Sequence, residues 1–263
     1  MVDCGRLGAT IDHPDGVQAT RVRAAGSPGF GTVAGMSGSV IVTVGAVLCD
    51  MDGTLVDSTA IVEQVWTEFA QQFGLDVEEI LATSHGRLTE ETVAQYAPVG
   101  SDIQLICDEL AAAELERTQG IVEIPGAATL MRALTATDVV ALVTSAPRAL
   151  AELRMRAAGI PMPAVTVCAE DVRNGKPDPE GFVKALRDLG RADQEVVVFE
   201  DSEAGIEAGL AAGARVIVVG DVACRAADGL LRVADLRGVA CDVSPDSTGR
   251  AMVTLTVPTN DAR

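Results

Sequence analysis

A regular alternation of short apolar runs with amphipathic stretches constrains the fold of this chain more than any other feature. Apolar runs of this kind are typical of strands buried on both faces, and helices between them are typical crossovers of a parallel sheet. The pattern therefore predicts an α/β fold with a doubly wound parallel sheet. The predicted strands are Val44–Cys49, Val139–Val143, Val165–Cys168, Val196–Phe199 and Arg215–Val219, and the predicted helices between the later strands are Arg148–Ala158, Pro179–Leu189 and Glu203–Ala212.

One stretch interrupts this alternation after the first predicted strand. From residue 58 to about residue 125 the pattern is helical, and Ile124-Pro125-Gly126 is a turn signal for the return to the sheet. We therefore predict that residues 58–125 form an all-helical cap that can act as a lid over the strand ends, with a static helical subdomain as the alternative. The helices predicted within it are Ile61–Phe73, Glu90–Tyr96 and Ile103–Thr118.

The remaining segments complete the predicted domain organisation. Residues 1–38 are rich in Gly, Ala, Ser and charge and show no period, which predicts a flexible N-terminal extension. Residues 39–57 and 126–263 then form the α/β core on either side of the cap. Within the core, Val239–Val243 and Met252–Val257 predict one or two strands at the edge of the sheet.

Composition limits the partners that the chain can have. The 263 residues are 48% hydrophobic, which suits a globular chain with a sizeable core. The formal net charge of -18 disfavours nucleic acid and anionic membrane surfaces as partners. The presence of only 2 histidines argues against a histidine-rich zinc site or a Ser-His-Asp triad. The 6 cysteines include no CxxC pair, which predicts buried free thiols and a cytoplasmic location.

Four short polar segments follow predicted strands, and all of them contain residues that can carry chemistry. Ligands bind at the carboxyl ends of the strands in an open parallel sheet, so we expect the four segments to meet in one site. The segments are Asp50-Met51-Asp52-Gly53-Thr54-Leu55, Thr144-Ser145, Gly175-Lys176-Pro177-Asp178-Pro179 and Glu200-Asp201-Ser202.

The residue types in these segments suit the transfer of a phosphoryl group. One carboxylate can attack phosphorus, while a second protonates the leaving oxygen and then activates water. Each carboxylate near the phosphate repels it by roughly 4 kcal/mol per unit-charge pair at about 4 Å and an effective dielectric near 20. The set therefore predicts a hard divalent cation, Mg²⁺, with Lys176 as a further positive charge and Thr144 as a hydroxyl donor. Two other phosphate-binding motifs are not supported. Gly175-Lys176 lacks the other residues of a P-loop, and no GxGxxG follows a predicted strand, which argues against a dinucleotide site.

At these residues the chain resembles the haloacid dehalogenase superfamily, over about residues 44–222. The combination of Asp-x-Asp-Gly-Thr, Thr-Ser, Lys-Pro-x-Pro and Glu-Asp-Ser-x-Ala-Gly is highly specific for that superfamily. The chain is most similar to the branch with a small helical cap after the first strand, which includes sugar- and polyol-phosphate phosphatases and β-phosphoglucomutase. The resemblance implies a Rossmann-like core and a Mg²⁺-dependent phosphatase that works through an aspartyl-phosphate. Dehalogenases lack the second aspartate of the pair, so the resemblance argues against dehalogenase activity for this chain.

The resemblance also implies catalytic roles for the motif residues. Asp50 would be the nucleophile, and Asp52 would be the general acid and base. Thr144 would hydrogen-bond the transferring phosphoryl group, and Lys176 would stabilise both the nucleophile and the phosphate.

The same resemblance implies a metal site in the predicted cluster of carboxylates. Asp50, the backbone carbonyl of Asp52 and Asp201 would hold Mg²⁺, and Glu200 would be an additional contributor.

The substrate contacts are predicted from both the cap and the core. The cap segment Ser84-His85-Gly86-Arg87 resembles a loop in sugar- and glycerol-phosphate phosphatases whose arginine faces the substrate. Arg87 can therefore pair with a substrate oxygen or phosphate, whereas His85 and Trp66 are expected to have structural roles. The remaining predicted substrate contacts are Gly53, Thr54, Ser145 and Arg148, the last with a surface position on its helix as an equal alternative.

These residues predict a phosphatase of small phosphorylated metabolites, as a monomer or dimer, with two alternatives. One is a β-phosphoglucomutase-like phosphotransferase. Val62 stands where those mutases usually have a histidine, and Leu88 or Thr89 stands where they have a substrate arginine, and both differences weaken that alternative. The other is a non-catalytic binding protein on the same fold, which the complete set of charged residues argues against.

Overall fold

The computed structural model describes residues 20–21, 34–36 and 38–259 of the chain. Most of the predicted extension, residues 1–38, therefore lies outside the described residues. The strands are β1 Thr20–Arg21, β2 Ala34–Met36, β3 Ser39–Val44, β4 Ala46–Cys49, β5 Val56–Asp57, β6 Val122–Glu123, β7 Val140–Val143, β8 Val165–Val167, β9 Val196–Glu200, β10 Arg215–Val219, β11 Leu231–Val233, β12 Ala240–Pro245 and β13 Ala251–Pro258. The α-helices are α1 Thr59–Phe73, α2 Val77–Ser84, α3 Thr89–Tyr96, α4 Ile103–Leu115, α5 Ala127–Leu134, α6 Arg148–Ala157, α7 Glu180–Asp188 and α8 Glu203–Ala211.

A parallel sheet forms the centre of the molecule and confirms the predicted α/β fold. Its strand order is β11-β10-β9-β4-β7-β8, and every neighbouring pair runs parallel. Each residue of β4, β7 and β9 is buried, because helices cover both faces of the sheet. Because both faces are buried, these strands appear in the sequence as continuous apolar runs rather than as alternating polar and apolar residues.

The elements of the central sheet follow the sequence prediction closely, with differences at their ends. Strand β10 has the predicted bounds, and β9 extends one residue further to include Glu200. Helices α6, α7 and α8 each lie within the predicted range. Helix α5, for which the sequence analysis named no element, begins after Gly126, a residue with a φ of 94°. Among the described residues, no helix has both the length and the apolar character needed to cross a membrane.

Helices α1 to α4, which we call the helical segment, lie between β4 and α5 in the chain. The prediction of purely helical structure up to residue 125 was wrong at one point, because β6 pairs antiparallel with β5. The backbone N–H of Ile124 also donates to the carbonyl of Leu55, 2.8 Å away. This short pair joins the start of the helical segment to its end, so both connections enter the core side by side.

A second sheet corrects the prediction for the C-terminal residues. Strands β12 and β13 are not edge strands of the parallel sheet, because they belong to a separate sheet of order β1-β2-β3-β13-β12. Strand β13 pairs antiparallel with β3, which directly precedes β4. Gly45 separates β3 from β4, and a side chain there would collide with Gln194. The apolar run Val40–Cys49 therefore contributes to two sheets rather than one.

The second sheet packs one face into the main hydrophobic core. Val253, Leu255 and Val257 are buried there together with Met131 and Leu134 of α5. The alternate residues of β13, including Thr254 and Thr256, are only partly buried. This alternation is typical of an antiparallel sheet that covers the core with one face.

We predict that Leu255→Ala destabilises the protein by about 2–5 kcal/mol, because Leu255 is fully buried and its truncation leaves a cavity. The matched control is Thr256→Ala on the other face of β13, which should cost less than about 1 kcal/mol. Urea unfolding followed by circular dichroism measures both values. Equal losses would contradict the packing of this sheet into the core.

Candidate active site

The carboxyl ends of the central strands bring the predicted polar segments together. Strand β4 lies between β9 and β7, so the residues that follow these three strands become neighbours. Asp50 follows β4, Thr144 follows β7, and Glu200 ends β9. Lys176 reaches the same place from the loop between β8 and α7. The expected convergence of the four segments is therefore present in the structure.

The ammonium group of Lys176 lies at the centre of the site. It donates to Oδ1 of Asp50, to Oε1 of Glu200 at 2.7 Å and to the carbonyl of Val143 at 3.2 Å. It also lies 5.3 Å from the ring centroid of Phe182. Burial opposes its charge, but Asp50 and Glu200 outweigh that effect, so the pKa of Lys176 rises above its ordinary value. Lys176 is therefore a fixed positive charge.

Glu200 is fully buried, and hydrogen bonds occupy both oxygens of its carboxylate. Oε1 accepts from Lys176, while Oε2 accepts from the backbone N–H groups of Asp201 and Ser202 at 2.8 and 2.9 Å and from the Ser202 hydroxyl at 3.0 Å. Ser202 in turn caps α8 by accepting from the backbone N–H of Gly205. Glu200 thereby fixes the lysine and the turn that carries Asp201.

The carboxylates of Asp50, Glu200 and Asp201 form a cluster that could hold a metal ion. One oxygen from each lies within 4.8 Å of the others. Burial away from water raises the pKa of Asp50 well above its ordinary value; Lys176 opposes that rise, and Glu200 and Asp201 add to it. Three carboxylates outnumber the two neighbouring basic groups, Lys176 and the His85 ring on Asp201, and oxygen ligands of this type suit a hard divalent cation. The donor set therefore fits Mg²⁺.

The loop after β4 positions Asp52 and Asp201 relative to each other. Asp52 accepts from the Ser58 hydroxyl at 2.6 Å through Oδ1. Thr54 donates its hydroxyl to Oδ1 of Asp201 at 3.0 Å. Gly53 has a φ of 86°, and a Cβ at this position would lie 1.8 Å from Oδ2 of Asp201. Glycine is required here because the loop needs both a left-handed backbone and close contact with the carboxylate.

A cavity of about 220 Å³ opens between the strand ends and the helical segment. Such a volume suits a small metabolite rather than a macromolecule. Both parts of the molecule contribute charged and polar side chains to its wall. The lining residues that bear on the chemistry are Asp50, Asp52, Gly53, Ser58, Glu63, His85, Arg87, Glu114, Thr144, Ser145 and Arg154.

The structure brings most of the predicted substrate contacts to this cavity. Arg87 lines it from the loop after α2, and no acidic side chain of the described residues pairs with its guanidinium group. Ser145 donates its hydroxyl to the carbonyl of Gly86 at 2.8 Å, which joins the core to that loop. Arg148 is different, because its guanidinium group binds Asp171 at 2.6 Å and it is not among the residues lining the cavity. Arg148 has the surface position that was its alternative.

Sequence reasoning gave His85 a structural role and missed its contact with Asp201. Its Nε2 lies 2.7 Å from Oδ2 of Asp201, and the ring lines the cavity. The pKa of His85 rises to about 9, mainly because of its hydrogen bond with Asp201, while burial opposes the rise. Its position two residues before Arg87 in the same loop was the signal in the sequence. Trp66 also lines the cavity, although its ring packs edge-on against Phe69 as expected.

The polar partners of Asp52 also had no assigned role in the sequence. Arg154 on α6 donates to Oδ2 of Asp52 at 2.8 Å and to Oε1 of Glu114 on α4 at 2.7 Å. Ser58 was considered only as the start of the helical segment. A charged residue on an amphipathic helix usually indicates a solvent-facing surface, so the sequence contained no signal for the burial of Arg154.

Comparisons with known proteins identify the family to which the chain belongs. Residues 44–213 match the family model described as haloacid dehalogenase-like hydrolase. The chain is 40% identical over 175 residues to hexitol phosphatase A of Escherichia coli (strain K12), covering 65% of this chain and 81% of that protein. It is 34% identical over 184 residues to glycerol-1-phosphate phosphohydrolase 2 of Saccharomyces cerevisiae, and the match covers 66% of this chain and 74% of that protein.

A solved structure with the same fold is CbbY from Rhodobacter sphaeroides in complex with phosphate. The TM-score is 0.62 at 24% identity, and the match covers 74% of this chain and 95% of that chain. At this identity the similarity concerns the fold alone.

We predict that Gly53→Ala destabilises the protein more than Gly74→Ala does. Gly74 also has a positive φ, of 68°, but an added Cβ there meets no atom within 4 Å. Gly74→Ala should therefore cost about 1 kcal/mol of backbone strain, whereas Gly53→Ala adds the displacement of Asp201. Urea unfolding of both variants measures the difference. Equal losses would show that Asp201 can move aside without cost.

Proposed function

This chain belongs to the haloacid dehalogenase-like hydrolase family and is a phosphoric monoester hydrolase, and we propose that its substrates are phosphate esters of sugars or polyols. The observation that carries the proposal is the placement of Asp50, in the wall of a small polar cavity and beside the fixed charge of Lys176. The similarity to hexitol and glycerol phosphatases supports this class of substrate.

In the proposed reaction, Asp50 and Asp52 have separate roles. A carboxylate oxygen of Asp50 attacks phosphorus, the bond from phosphorus to the ester oxygen breaks, and the carboxyl group of Asp52 gives its proton to the departing alcohol. Asp52 then accepts a proton from a water molecule whose oxygen attacks the aspartyl-phosphate, which releases phosphate and restores Asp50. The positions of Asp50 and Asp52 in the cavity wall support this division of roles.

Lys176 and Thr144 would stabilise the phosphoryl group during transfer. Lys176 neutralises part of the charge that develops on the phosphoryl oxygens, and its contacts to Asp50 and Glu200 hold it in place beforehand. The Thr144 hydroxyl already accepts a hydrogen bond from the backbone N–H of Ala146, at 3.1 Å. Its proton is therefore directed away from Ala146 and is free to point at a phosphoryl oxygen.

We propose that Asp50, the backbone carbonyl of Asp52 and Asp201 hold Mg²⁺. The excess of carboxylates over cations in the site supports this assignment. When bound, the ion would neutralise phosphate charge and orient the phosphoryl oxygens. Glu200 contributes less directly, because it is fully buried and its carboxylate already accepts four hydrogen bonds.

The substrate alcohol would lie in the part of the cavity next to the helical segment. Arg87 would donate hydrogen bonds to its hydroxyl groups. Glu63 lines the same wall and would disfavour a second phosphate through charge repulsion, whereas Glu114 is already paired with Arg154. A neutral, hydroxyl-rich group suits this combination better than a bisphosphate does.

The same wall argues against the mutase alternative. Val62 lines the cavity, and its side chain has no polar atom that could bind a sugar phosphate during its reorientation.

We also retain a cytoplasmic location as part of the proposal, supported by the free cysteines among the described residues. Fractionation of cells would test the location.

We predict that Asp50→Asn abolishes hydrolysis, by roughly 10³-fold or more, because the amide cannot replace the attacking carboxylate. Phosphate release from hexitol, hexose and glycerol phosphates measures the effect. Asp188→Asn, at an exposed position on α7, is the control and should keep full activity. Undiminished turnover by Asp50→Asn would refute the mechanism, and an inactive wild-type protein on every ester would refute the substrate class.

We predict that EDTA removes the activity and that added Mg²⁺ restores it. Asp201→Asn should raise the Mg²⁺ concentration for half-maximal activity by roughly tenfold or more, because a charged ligand is lost. Titration of metal-free protein with Mg²⁺ measures activity and binding heat in parallel, with Asp188→Asn again as the control. Activity that persists in EDTA would contradict the metal assignment.

A further inference from the structure

An ion-pair chain along the wall of the cavity connects Asp52 to the helical segment. The guanidinium group of Arg154, on α6, donates from Nη1 to Asp52 and from Nη2 to Glu114 on α4. The Arg154 side chain is 4% exposed and that of Glu114 is 13% exposed. Three separate elements therefore contribute one charge each to the same wall of the cavity.

Stability alone does not account for this chain of charges. Burying charged groups carries a large desolvation cost, and well-packed apolar residues in such positions are often at least as stable. The Nε atom of Arg154 is also buried and has no hydrogen-bond partner among the described residues. Burial raises the pKa of Glu114 above its ordinary value, although Arg154 opposes that rise. An arrangement with these costs calls for a functional explanation.

The geometry points to Arg154 and Glu114 as positioning residues for Asp52, an inference that rests on the proposed function. Ser58 holds Oδ1 of Asp52, and Arg154 holds Oδ2, so the plane of the carboxyl group is fixed. Glu114 fixes the guanidinium group in turn through Nη2. Because Glu114 belongs to the helical segment, the orientation of Asp52 is complete only when that segment contacts the core as it does here.

The role predicts a dependence on the leaving group that a purely structural role would not produce. The alkoxide leaving from glycerol 1-phosphate needs a proton during bond cleavage, whereas p-nitrophenolate leaves without one. The ratio kcat/KM reports the steps up to alcohol release, which isolates proton donation from the later attack of water. Poor positioning of Asp52 should therefore affect only the alkyl ester.

The test compares Glu114→Gln and Arg154→Met with wild-type protein on both esters. Each variant should lower kcat/KM for glycerol 1-phosphate by roughly tenfold or more, mainly through kcat, and should change the value for p-nitrophenyl phosphate by less than about threefold. Arg154→Lys should recover part of the loss, because it keeps the charge near Asp52. Glu116→Gln, one exposed position beyond the end of α4, is the matched control and should behave as wild type.

The outcomes separate this inference from the proposed function. Equal losses on both esters, no loss on either, or a rise in KM with unchanged kcat would overturn the positioning role. A wild-type protein that hydrolyses neither ester would refute the proposed function itself. If thermal unfolding shows that Arg154→Met does not fold, Glu114→Gln still decides the question, because it retains the arginine.

Discussion

The buried ammonium group of Lys176 is the interaction on which the rest of the site depends. Asp50 and Glu200 are both buried, and without a cation between them their charges would oppose folding. Lys176 satisfies one oxygen of each and also binds the carbonyl of Val143 at the end of β7. It thus connects the loop after β8 with the ends of three central strands, and the proposed nucleophile, Asp50, is held in place as a consequence.

The remaining charges form two networks around this centre. On one side, Asp201 is held by Thr54 and His85 and faces the candidate metal position. On the other side, Asp52 is held by Ser58 and Arg154 and faces the part of the cavity that would receive the alcohol. In the proposed mechanism, the Asp52 carboxyl group that would transfer protons and the Asp201 carboxylate that would bind the metal therefore belong to different networks, although Asp50 lies next to both.

The helical segment contributes to both networks and not only to the cavity wall. His85 contacts Asp201, and Glu114 contacts Arg154, so residues of the helical segment touch each side of the site. A third link is the hydrogen bond from Ser145 to Gly86. Movement of the segment away from the core would break all three contacts, which would change the electrostatic environment of the reaction as well as its access to water.

The sequence by itself determined the parallel sheet and the group of motif residues at its edge. Buried strands show continuous apolar runs, and residues such as Asp50, Thr144 and Glu200 follow or end them directly, so local pattern was enough to place them together. Only the tertiary structure decided the second sheet, in which Thr43 contacts Thr254, 211 positions away, and the burial of Arg154 against Asp52 and Glu114. Pairing between distant strands and the burial of a charged helix residue depend on how elements pack, and neither leaves a periodic signal in the chain.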